Sequence, residues 1–449
     1  MVKMTRPGHE PDVAPAVGPG PQTGTEPELL LSPRDGVPAV TEDGRALADV
    51  IRRFAAGHGP VAVDAERASG YRYSQRAYLV QLRRAGAGTA LIDPIGCPDL
   101  SELSAALQDD EWVLHAASQD LPCLAELAMV PPRIFDTELG ARLAGYERVG
   151  LGALVENLLG IRLEKGHSAA DWSTRPLPES WLAYAALDVE VLVQLRDRIE
   201  AELRAQDKLA WAHEEFAATL RAAPPGPRVD PWRRTSGIHR LRSRRQLGGV
   251  RALWEVRDAM ARRRDVAPGR ILPDAAIVSA VTAAPTSPAE LLELPVFGGR
   301  STRRHVDTWF GALTQAAQLP EEELPLPVPA ADGPPPANRW AERDPVAARR
   351  LARVRAVVTS LAEDHRMPPE NLIQPEAVRR LAWQPPTEPT AATVAAALTR
   401  AAARPWQVAL VAGPLAAALA APPEPLTPEP LTPGTAHPDA PAPEGAAPG

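Results

Sequence analysis

Residues 61–66 read VAVDAE and decide the fold of the first half of the chain. The apolar residues predict a buried strand, and Asp64 and Glu66 follow at its end, two positions apart. In a strand, that spacing places both side chains on the same face. Two carboxylates buried together repel each other and lose hydration, so they need a cation or a separate reason to be there. A D-x-E pair alone is weak evidence of a site, because short acidic pairs at strand ends are common.

The segments around this strand predict a mixed α/β domain over residues 41–216, in which hairpin strands come first and strands that alternate with helices follow. The predicted strands are 61–64, 78–82, 89–92, 112–115 and one near Ile134. The predicted helices are 46–56, 100–107, 137–145, 151–159, one from about Leu121 and a long one over 179–204.

Three further side chains fall where they could join the acidic pair. Asp120 follows the strand 112–115 at the start of a helix, and Tyr184 and Asp188 lie four positions apart on one face of the long helix. Each residue also has an ordinary interpretation, respectively a helix N-cap, a core ring with its hydroxyl at the rim, and an exposed acid. Each ordinary interpretation would be preferred for its residue alone. The hypothesis of a site depends on all of these residues together.

With these residues in place, the chain resembles the tyrosine-bearing branch of the DEDD exonuclease superfamily, and within it the ribonuclease D family. The three motifs are Asp64-x-Glu66, Asp120 after LHAASQ, and Tyr184-x-x-x-Asp188. Further matches are YSQRAYLVQL at 73–82, LIDP at 91–94 and DWSTRPL at 171–177. The histidine-bearing branch has a histidine five residues before the last aspartate, where this chain has Ala183. The resemblance covers residues 41–216.

This resemblance implies a ribonuclease H-like fold and catalysis with two divalent ions, Mg²⁺ or Mn²⁺. Two ions about 4 Å apart activate a water and stabilise the leaving oxygen, and such hard cations take carboxylate ligands. On the family pattern, Asp64 bridges both ions, Glu66 and Asp188 complete one site, and Asp120 holds the second ion largely through water. Tyr184 orients the attacking water rather than deprotonating it, because an unperturbed phenol has a pKa of about 10.

Two features depart from the family. Ala65 stands between the first two acids, where the family more often has threonine, and the loop 165–170 (KGHSAA) is less polar than in relatives. That loop lies near the active site in the family, so this difference affects substrate binding and leaves the metal ligands unchanged. His115, which ends a strand, is interpreted as structural.

Two helical modules are predicted after the α/β domain. Beyond a linker at 217–239, residues 240–315 show helical apolar spacing and the capping box SPAE at 287–290, and they resemble the HRDC domain, a small all-α bundle. Beyond a proline-rich linker at 316–343, residues 344–420 echo this module at an offset of about 101 residues: MPPENLIQPEAV matches VAPGRILPDAAI with one insertion. The chain is therefore expected to contain one or two HRDC-type bundles.

Basic residues gather in the first of these modules. Residues 226–275 carry 13 Arg against 5 Asp and Glu, although the whole chain has a net charge of −7. A charge run is usually a solvated helix face, but an arginine-rich bundle joined to a nuclease favours contact with a phosphate backbone. The candidate contacts are Arg233, Arg234, Arg240, Arg242, Arg244 and Arg245.

Composition indicates the setting in which the chain works. The proline-rich residues 1–40 and 421–449 are predicted to be disordered. No window holds eighteen uncharged apolar residues and no signal peptide is evident, so no membrane span is expected. Cys97 and Cys123 show no metal or disulfide spacing, which fits a reducing cytoplasm. No obligate protein partner is predicted.

The predicted function is a metal-dependent 3′–5′ exoribonuclease that trims structured RNA, such as tRNA precursors, and releases 5′-monophosphates. A DNA exonuclease is the first alternative, because the same motifs serve polymerase proofreading domains, but no polymerase domain follows here. A non-catalytic RNA-binding scaffold is the second, and it would have no use for four acids and a tyrosine.

Overall fold

The computed structural model describes residues 26–163, 166–167, 169–223, 226, 228–327 and 333–422. They form an α/β domain, a middle helical module and a C-terminal helical module. The disorder predicted for residues 1–25 and 423–449 falls outside the described residues, as do position 164 and, within the loop 165–170, positions 165 and 168.

The α/β domain is built on a six-stranded mixed sheet with strand order β2-β5-β4-β3-β6-β7, and β1 pairs with β8 beside it. The strands are β1 (Glu28–Leu30), β2 (Val40–Thr41), β3 (His58–Arg67), β4 (Ala77–Ala85), β5 (Gly88–Ile92), β6 (Glu111–Leu114), β7 (Arg133–Asp136) and β8 (Ile161–Leu163). The helices are α1 (Gly44–Ala56), α2 (Ser101–Ala106), α3 (Leu121–Ala125), α4 (Thr137–Ala144), α5 (Leu151–Leu159), α6 (Glu179–Glu190), α7 (Leu192–Ala205) and α8 (Leu209–Arg221).

Strand β3 occupies the middle of the sheet, antiparallel to β4 and parallel to β6. Val61, Ala62 and Val63 are fully buried, as a run of apolar residues in a central strand predicts. The acids at the end of β3 therefore lie at the centre of the sheet. The predicted mixed α/β fold is confirmed, and each strand predicted from the sequence is present.

The single long helix predicted over 179–204 is wrong. It is broken at Val191 into α6 and α7. Helix α6 packs on β3, β4 and β5, whereas α7 packs on α4, α5, β3 and β6. Helical periodicity alone does not predict such a break.

The predicted disorder of residues 1–40 is wrong for residues 26–40. Strand β1 pairs with β8, which lies more than a hundred residues later in the chain, and Leu30 is buried. The backbone N–H of Arg34 donates to the carboxylate of the buried Glu190 at 3.2 Å. These contacts compensate for the cost of ordering a segment that has no periodicity of its own.

The middle module contains α9 (Arg244–Arg264), α10 (Pro268–Ile271), α11 (Asp274–Ala283), α12 (Pro288–Glu293), α13 (Arg300–Arg303) and α14 (Val306–Gln318). Its core also takes in Trp232, which lies in the predicted linker 217–239. That linker assignment is therefore wrong at both ends, because α8 runs to Arg221 and the residues around Trp232 pack onto the module. The segment is proline-rich, but the apolar side chain of Trp232 packs into the core of the module.

The middle module docks on the connection between β3 and β4. The backbone N–H of Ala267 donates to Tyr71 at 2.9 Å, and Asp265 accepts from the backbone N–H of Ser74 at 2.8 Å. The Tyr73 hydroxyl donates to Asp258 at 3.1 Å. The module is thereby fixed beside the strand that carries Asp64 and Glu66.

The C-terminal module contains α15 (Trp340–Arg343), α16 (Pro345–Asp364), α17 (Pro369–Leu372), α18 (Pro375–Trp383), α19 (Ala391–Arg400) and α20 (Pro405–Ala420). Trp340, placed in the predicted linker 316–343, is fully buried and belongs to this module's core, so the linker assignment is wrong there. Helix α14 also runs into that range, as far as Gln318. Among the described residues, no helix combines the length and apolar character needed to cross a bilayer.

The two modules repeat one backbone pattern. Val266 donates to Ala261 at 3.1 Å, and Met367 donates to Ala362 at 2.9 Å, a shift of 101 residues at both ends of the bond. A left-handed residue precedes each donor, with φ of 47° at Asp265 and 48° at Arg366. This repeat supports the prediction of a second HRDC-like bundle.

The C-terminal module packs against α8 of the α/β domain. The rings of Trp211 and Trp406 stack with centroids 5.0 Å apart, and the Trp406 indole N–H donates to Glu215 at 3.0 Å. Gly145, at the end of α4, closes the same interface: it has φ of +92°, and a Cβ there would clash with the carbonyl oxygen of Arg366. Only glycine fits both conditions.

We expect Gly145→Ala to destabilise the docked C-terminal module. Gly160→Ala is the matched control, because Gly160 has φ of +67° but open space around it. The control isolates the conformational strain, about 1–2 kcal/mol, and Gly145→Ala adds the clash with Arg366. Thermal unfolding followed by tryptophan fluorescence measures the difference. Equal midpoints for the two variants would contradict this interface.

Candidate active site

Three of the predicted acids converge on one point. Asp64 and Glu66 come from the end of β3, Asp188 comes from α6, and one oxygen from each lies within 4.8 Å of the other two. They line a cavity of about 740 Å³ that also contains Asp120 and Tyr184. The structure thus brings together all five residues predicted from the sequence, although they lie on three separate segments of the chain.

Burial, together with mutual repulsion, disfavours the ionisation of these acids. Burial, and then the charges of Asp64, Asp188 and Asp120, raise the pKa of Glu66 to about 10. Burial raises the pKa of Asp64 to about 6, and burial with the Asp64 charge raises the pKa of Asp188 well above its ordinary value. A cluster of this kind gains stability from any cation that enters it.

Asp120 does not cap the helix that it precedes. It is the N-cap residue of α3, yet its side chain accepts no capping hydrogen bond. It is 5% exposed, and burial followed by the Asp64 charge raises its pKa to about 8. The ordinary interpretation of Asp120 as a helix cap is therefore wrong, and its carboxylate remains directed to the cavity.

The Tyr184 ring lies in an aromatic wall of the cavity. The ring of His167 meets it edge-on at 5.8 Å, and the Trp172 ring lies 6.5 Å away. Its hydroxyl is hydrogen-bonded to Asp188, one turn along α6. Burial, and then the charge of Asp188, raise the pKa of the Tyr184 phenol, so the hydroxyl stays protonated and donates.

His115 also lines the cavity, but its ring nitrogen Nδ1 lies 2.9 Å from the hydroxyl of Thr137. Burial lowers the pKa of the imidazole to about 4, so the ring is neutral near pH 7. It therefore carries no positive charge that could offset the acids, which fits its interpretation as a structural residue.

Asp136 is a residue that the sequence analysis missed. Its buried carboxylate accepts from the backbone N–H groups of Ala116 and Ala117, at 3.1 and 2.9 Å, in the turn that leads to Asp120. The same carboxylate caps α4 by accepting from Glu138 and Leu139. Its sequence signal is an aspartate between a strand and a helix, which indicates the cap but not the bonds to the distant turn.

We expect Asp136→Ala to displace the turn before Asp120. The change leaves backbone N–H groups of two segments without an acceptor, at a cost of about 1–3 kcal/mol for each buried group. Lower stability and a reduced rate should therefore appear together. Asp136→Asn, which keeps one oxygen acceptor, should fall between wild type and alanine. Thermal melting and the rate of the predicted RNA cleavage test this, and an unchanged rate in the alanine variant would contradict the positioning role.

The donor set fits a divalent metal ion. Asp64, Glu66, Asp188 and Asp120 offer only carboxylate oxygens, the ligands that hard cations such as Mg²⁺ and Mn²⁺ prefer. Positive charge would offset the burial that raises the pKa values of all four acids and the repulsion that further raises those of Glu66, Asp120 and Asp188. The residues present therefore match a metal-binding role.

Family models match three parts of the chain. A model of the 3′-5′ exonuclease matches residues 38–204, a model of the HRDC domain matches 246–313, and a model of the 3′ to 5′ exonuclease C-terminal domain matches 333–419. Ribonuclease D of Granulibacter bethesdensis is 31% identical over 359 residues, which cover 77% of this chain and 85% of that protein. The chain belongs to the ribonuclease D family. The family predicted from the sequence is thereby confirmed.

A further ribonuclease D and two solved structures are similar to this chain. Ribonuclease D of Escherichia coli is 32% identical over 294 residues, 64% of this chain and 76% of that protein. Its crystal structure matches with a TM-score of 0.62 and 28% identity, over 85% of this chain and 98% of that one. A protein from Bifidobacterium adolescentis matches with a TM-score of 0.81 and 40% identity, over 88% of this chain and 100% of that one.

Membership in the ribonuclease D family confirms the predicted activity. The chain is a 3′–5′ exoribonuclease, a hydrolase that acts on phosphodiester bonds of RNA, and the family relies on divalent metal ions. The predicted HRDC domain is also confirmed, by the match to residues 246–313. The second HRDC-like bundle stays a prediction, because the model that matches 333–419 carries a different description.

The six arginines predicted to contact nucleic acid divide into two groups. Arg233 pairs with Asp230 at 2.8 Å, Arg244 donates to the carbonyl of Leu324 at 2.6 Å, and Arg245 pairs with Glu321 at 2.8 Å. Their guanidinium groups hold neighbouring segments onto the middle module. The other group consists of Arg234, Arg240 and Arg242, which are exposed and have no side-chain hydrogen bond or ion pair within the described part of the chain.

Proposed function

We propose that this exoribonuclease removes nucleotides from the 3′ ends of structured RNA, such as tRNA precursors, with two Mg²⁺ or Mn²⁺ ions in the acidic cavity. The observation that carries the proposal is the convergence of Asp64, Glu66 and Asp188 within 4.8 Å, in a cavity shared with Asp120 and Tyr184. The Escherichia coli relative is described as an exoribonuclease involved in structured RNA processing, which supports the choice of substrate.

Each acid takes one role in this proposal. Asp64, whose charge acts on each of the other three acids, would be shared by both ions; Glu66 and Asp188 would complete one site, and Asp120 would serve the second. When bound, the ions activate a water and stabilise charge on the leaving oxygen. The acids hold them at a fixed place on the central strand and on α6.

Tyr184 orients the attacking water in this scheme. Its protonated hydroxyl donates to Asp188 and lies in a wall of packed rings, so its position is fixed. A group that stays protonated cannot accept the proton of the water, but it can hold the water in line. Positioning of this kind contributes much of the rate in hydrolytic enzymes.

The test is incubation of the full chain with 3′-extended tRNA and a matched DNA strand, in the presence of Mg²⁺, Mn²⁺ or EDTA. The expected result is a ladder of 5′-mononucleotides from RNA that EDTA abolishes. Equal digestion of DNA would favour a 3′–5′ DNA exonuclease. Binding without any digestion would instead indicate a scaffold.

We also propose the division of labour along the chain. The α/β domain, residues 41–216, performs the cleavage, while the helical modules at 240–315 and 344–420 hold the body of the RNA. The free cysteines Cys97 and Cys123 are both buried, in keeping with the proposed cytoplasmic location.

Replacement of Arg234, Arg240 and Arg242 by glutamine should weaken RNA binding and its dependence on salt. Each phosphate contact contributes about 0.7–0.9 to the slope of log affinity against log salt, so the slope should become shallower by about 2. Filter binding of catalytically inactive protein at several salt concentrations measures this.

The matched control removes three exposed arginines from helices of the α/β domain, namely Arg45, Arg52 and Arg198. It changes the net charge of the chain equally. If the two triple variants have equal salt slopes, the middle module makes no phosphate contacts through these arginines.

A further inference from the structure

Arg67 is a cation inside the acidic cavity that neither the family motifs nor the metal chemistry uses. It directly follows Glu66 at the end of β3 and lines the same cavity as the four acids. Its guanidinium Nη2 lies 3.9 Å from Asp120, and its side chain is only 25% exposed. A partly buried charge at this place needs an explanation of its own.

The local backbone brings this side chain to the cavity. In a regular strand, Arg67 would point to the face opposite Glu66. The pairing register between β3 and β4 shifts between Glu66 and Arg67, because Glu66 pairs with Leu79 whereas Arg67 pairs with Ala77. The residue left without a partner is Tyr78 on β4, so the ladder beside Arg67 is no longer regular, and the Arg67 side chain lines the cavity together with Glu66.

The guanidinium group of Arg67 has unused hydrogen-bonding capacity. Arginine carries five N–H donors, and none of those of Arg67 makes a hydrogen bond within the described part of the chain. The separation of 3.9 Å from Asp120 is too long for one. By contrast, Arg162, which lines the same cavity, is bound to Glu156 at 2.8 Å.

Charge balance indicates what Arg67 contacts. In the proposed function, four carboxylates and two divalent ions cancel, and so do the other charged residues that line the cavity, Glu138 and Glu156 against Arg148 and Arg162, so Arg67 leaves the cavity with one net positive charge. A phosphodiester brings one negative charge. Its non-bridging oxygens also match the planar fork of a guanidinium, which binds phosphate through two parallel hydrogen bonds.

We propose that Arg67 binds the phosphate of the RNA linkage that is cleaved, donating to its non-bridging oxygens. This inference rests on the proposed function, because it places that phosphate beside the acidic cluster. Asp120 lies too far from Arg67 to accept a hydrogen bond from it, so the guanidinium donors are available to the substrate. Arg67 stabilises the charge that the phosphate oxygens carry during cleavage.

The experiment compares binding of AMP and adenosine, which differ only in the phosphate, by calorimetry in Mg²⁺. Arg67→Gln should weaken AMP binding about 10-fold and leave adenosine binding unchanged. Arg67→Lys keeps the charge but loses the planar fork, so its AMP affinity should lie between those of the wild type and Arg67→Gln. Arg162→Gln, the matched control, removes a cavity arginine already bound by Glu156 and should leave the ratio of the two affinities unchanged.

Two further measurements complete the test. Single-turnover cleavage of RNA should slow about 100-fold in Arg67→Gln, while Mn²⁺ affinity without RNA should stay the same or increase, since a neighbouring positive charge has been removed. If AMP and adenosine binding respond equally to Arg67→Gln, or if Mn²⁺ binding weakens, Arg67 acts only by supporting Asp120 and the proposal is wrong. Unchanged Mn²⁺ affinity in Asp64→Asn would instead show that the metal ligands are wrongly assigned, independently of the result for Arg67.

Discussion

Asp64→Asn should abolish RNA hydrolysis and leave RNA binding nearly unchanged. The charge of Asp64 raises the pKa of Glu66, Asp120 and Asp188, so it is the carboxylate whose loss disturbs both proposed ion positions. Metal ions supply several kcal/mol of transition-state stabilisation, and each 1.36 kcal/mol is worth a factor of ten, so we expect a loss of at least about 1000-fold. Most RNA affinity should come from the exposed arginines of the middle module, which this change does not touch.

Single-turnover cleavage and filter binding measure the two parts of this prediction. The control variant is Asp197→Asn, which neutralises an exposed carboxylate on α7 that is paired with Arg196. Asp197→Asn should cleave at the wild-type rate. Near-normal turnover by Asp64→Asn would show that the metal ligands have been assigned to the wrong residues.

Tyr184→Phe should slow the chemical step about 100-fold without a large change in metal or RNA affinity. The ring still packs against His167 and Trp172, so only the hydroxyl and its hydrogen bond to Asp188 are lost. Because that hydroxyl is proposed to orient the attacking water, its removal affects the positioning of the nucleophile. Single-turnover rates at saturating Mn²⁺ isolate this step.

Asp188→Asn is the informative comparison for Tyr184→Phe. It removes a proposed metal ligand from the same helix face, so activity should require a higher Mn²⁺ concentration. Tyr184→Phe should show the wild-type Mn²⁺ dependence at a lower maximal rate. If Tyr184→Phe cleaves RNA at the wild-type rate, this tyrosine has a purely structural role in the aromatic wall.

Much of the catalytic domain could be predicted because its signals are local. The apolar run before Asp64 requires a buried strand, and the spacing of Tyr184 and Asp188 requires one helix face. Structural contacts across the chain could not be predicted in this way. The bonds from Asp136 to the turn before Asp120, and those from Arg244 to the segment after α14, join residues whose neighbours in sequence give no sign of them.

The sequence by itself therefore determined the family, the strand and helix that carry the site, and the acids and tyrosine that line it. Tertiary structure alone decided that β1 pairs with β8, that the last long helix breaks at Val191, and that Arg67 reaches the cavity. Periodicity records which face of an element is buried. The packing of the whole chain then decides which distant backbone or carboxylate group contacts that face.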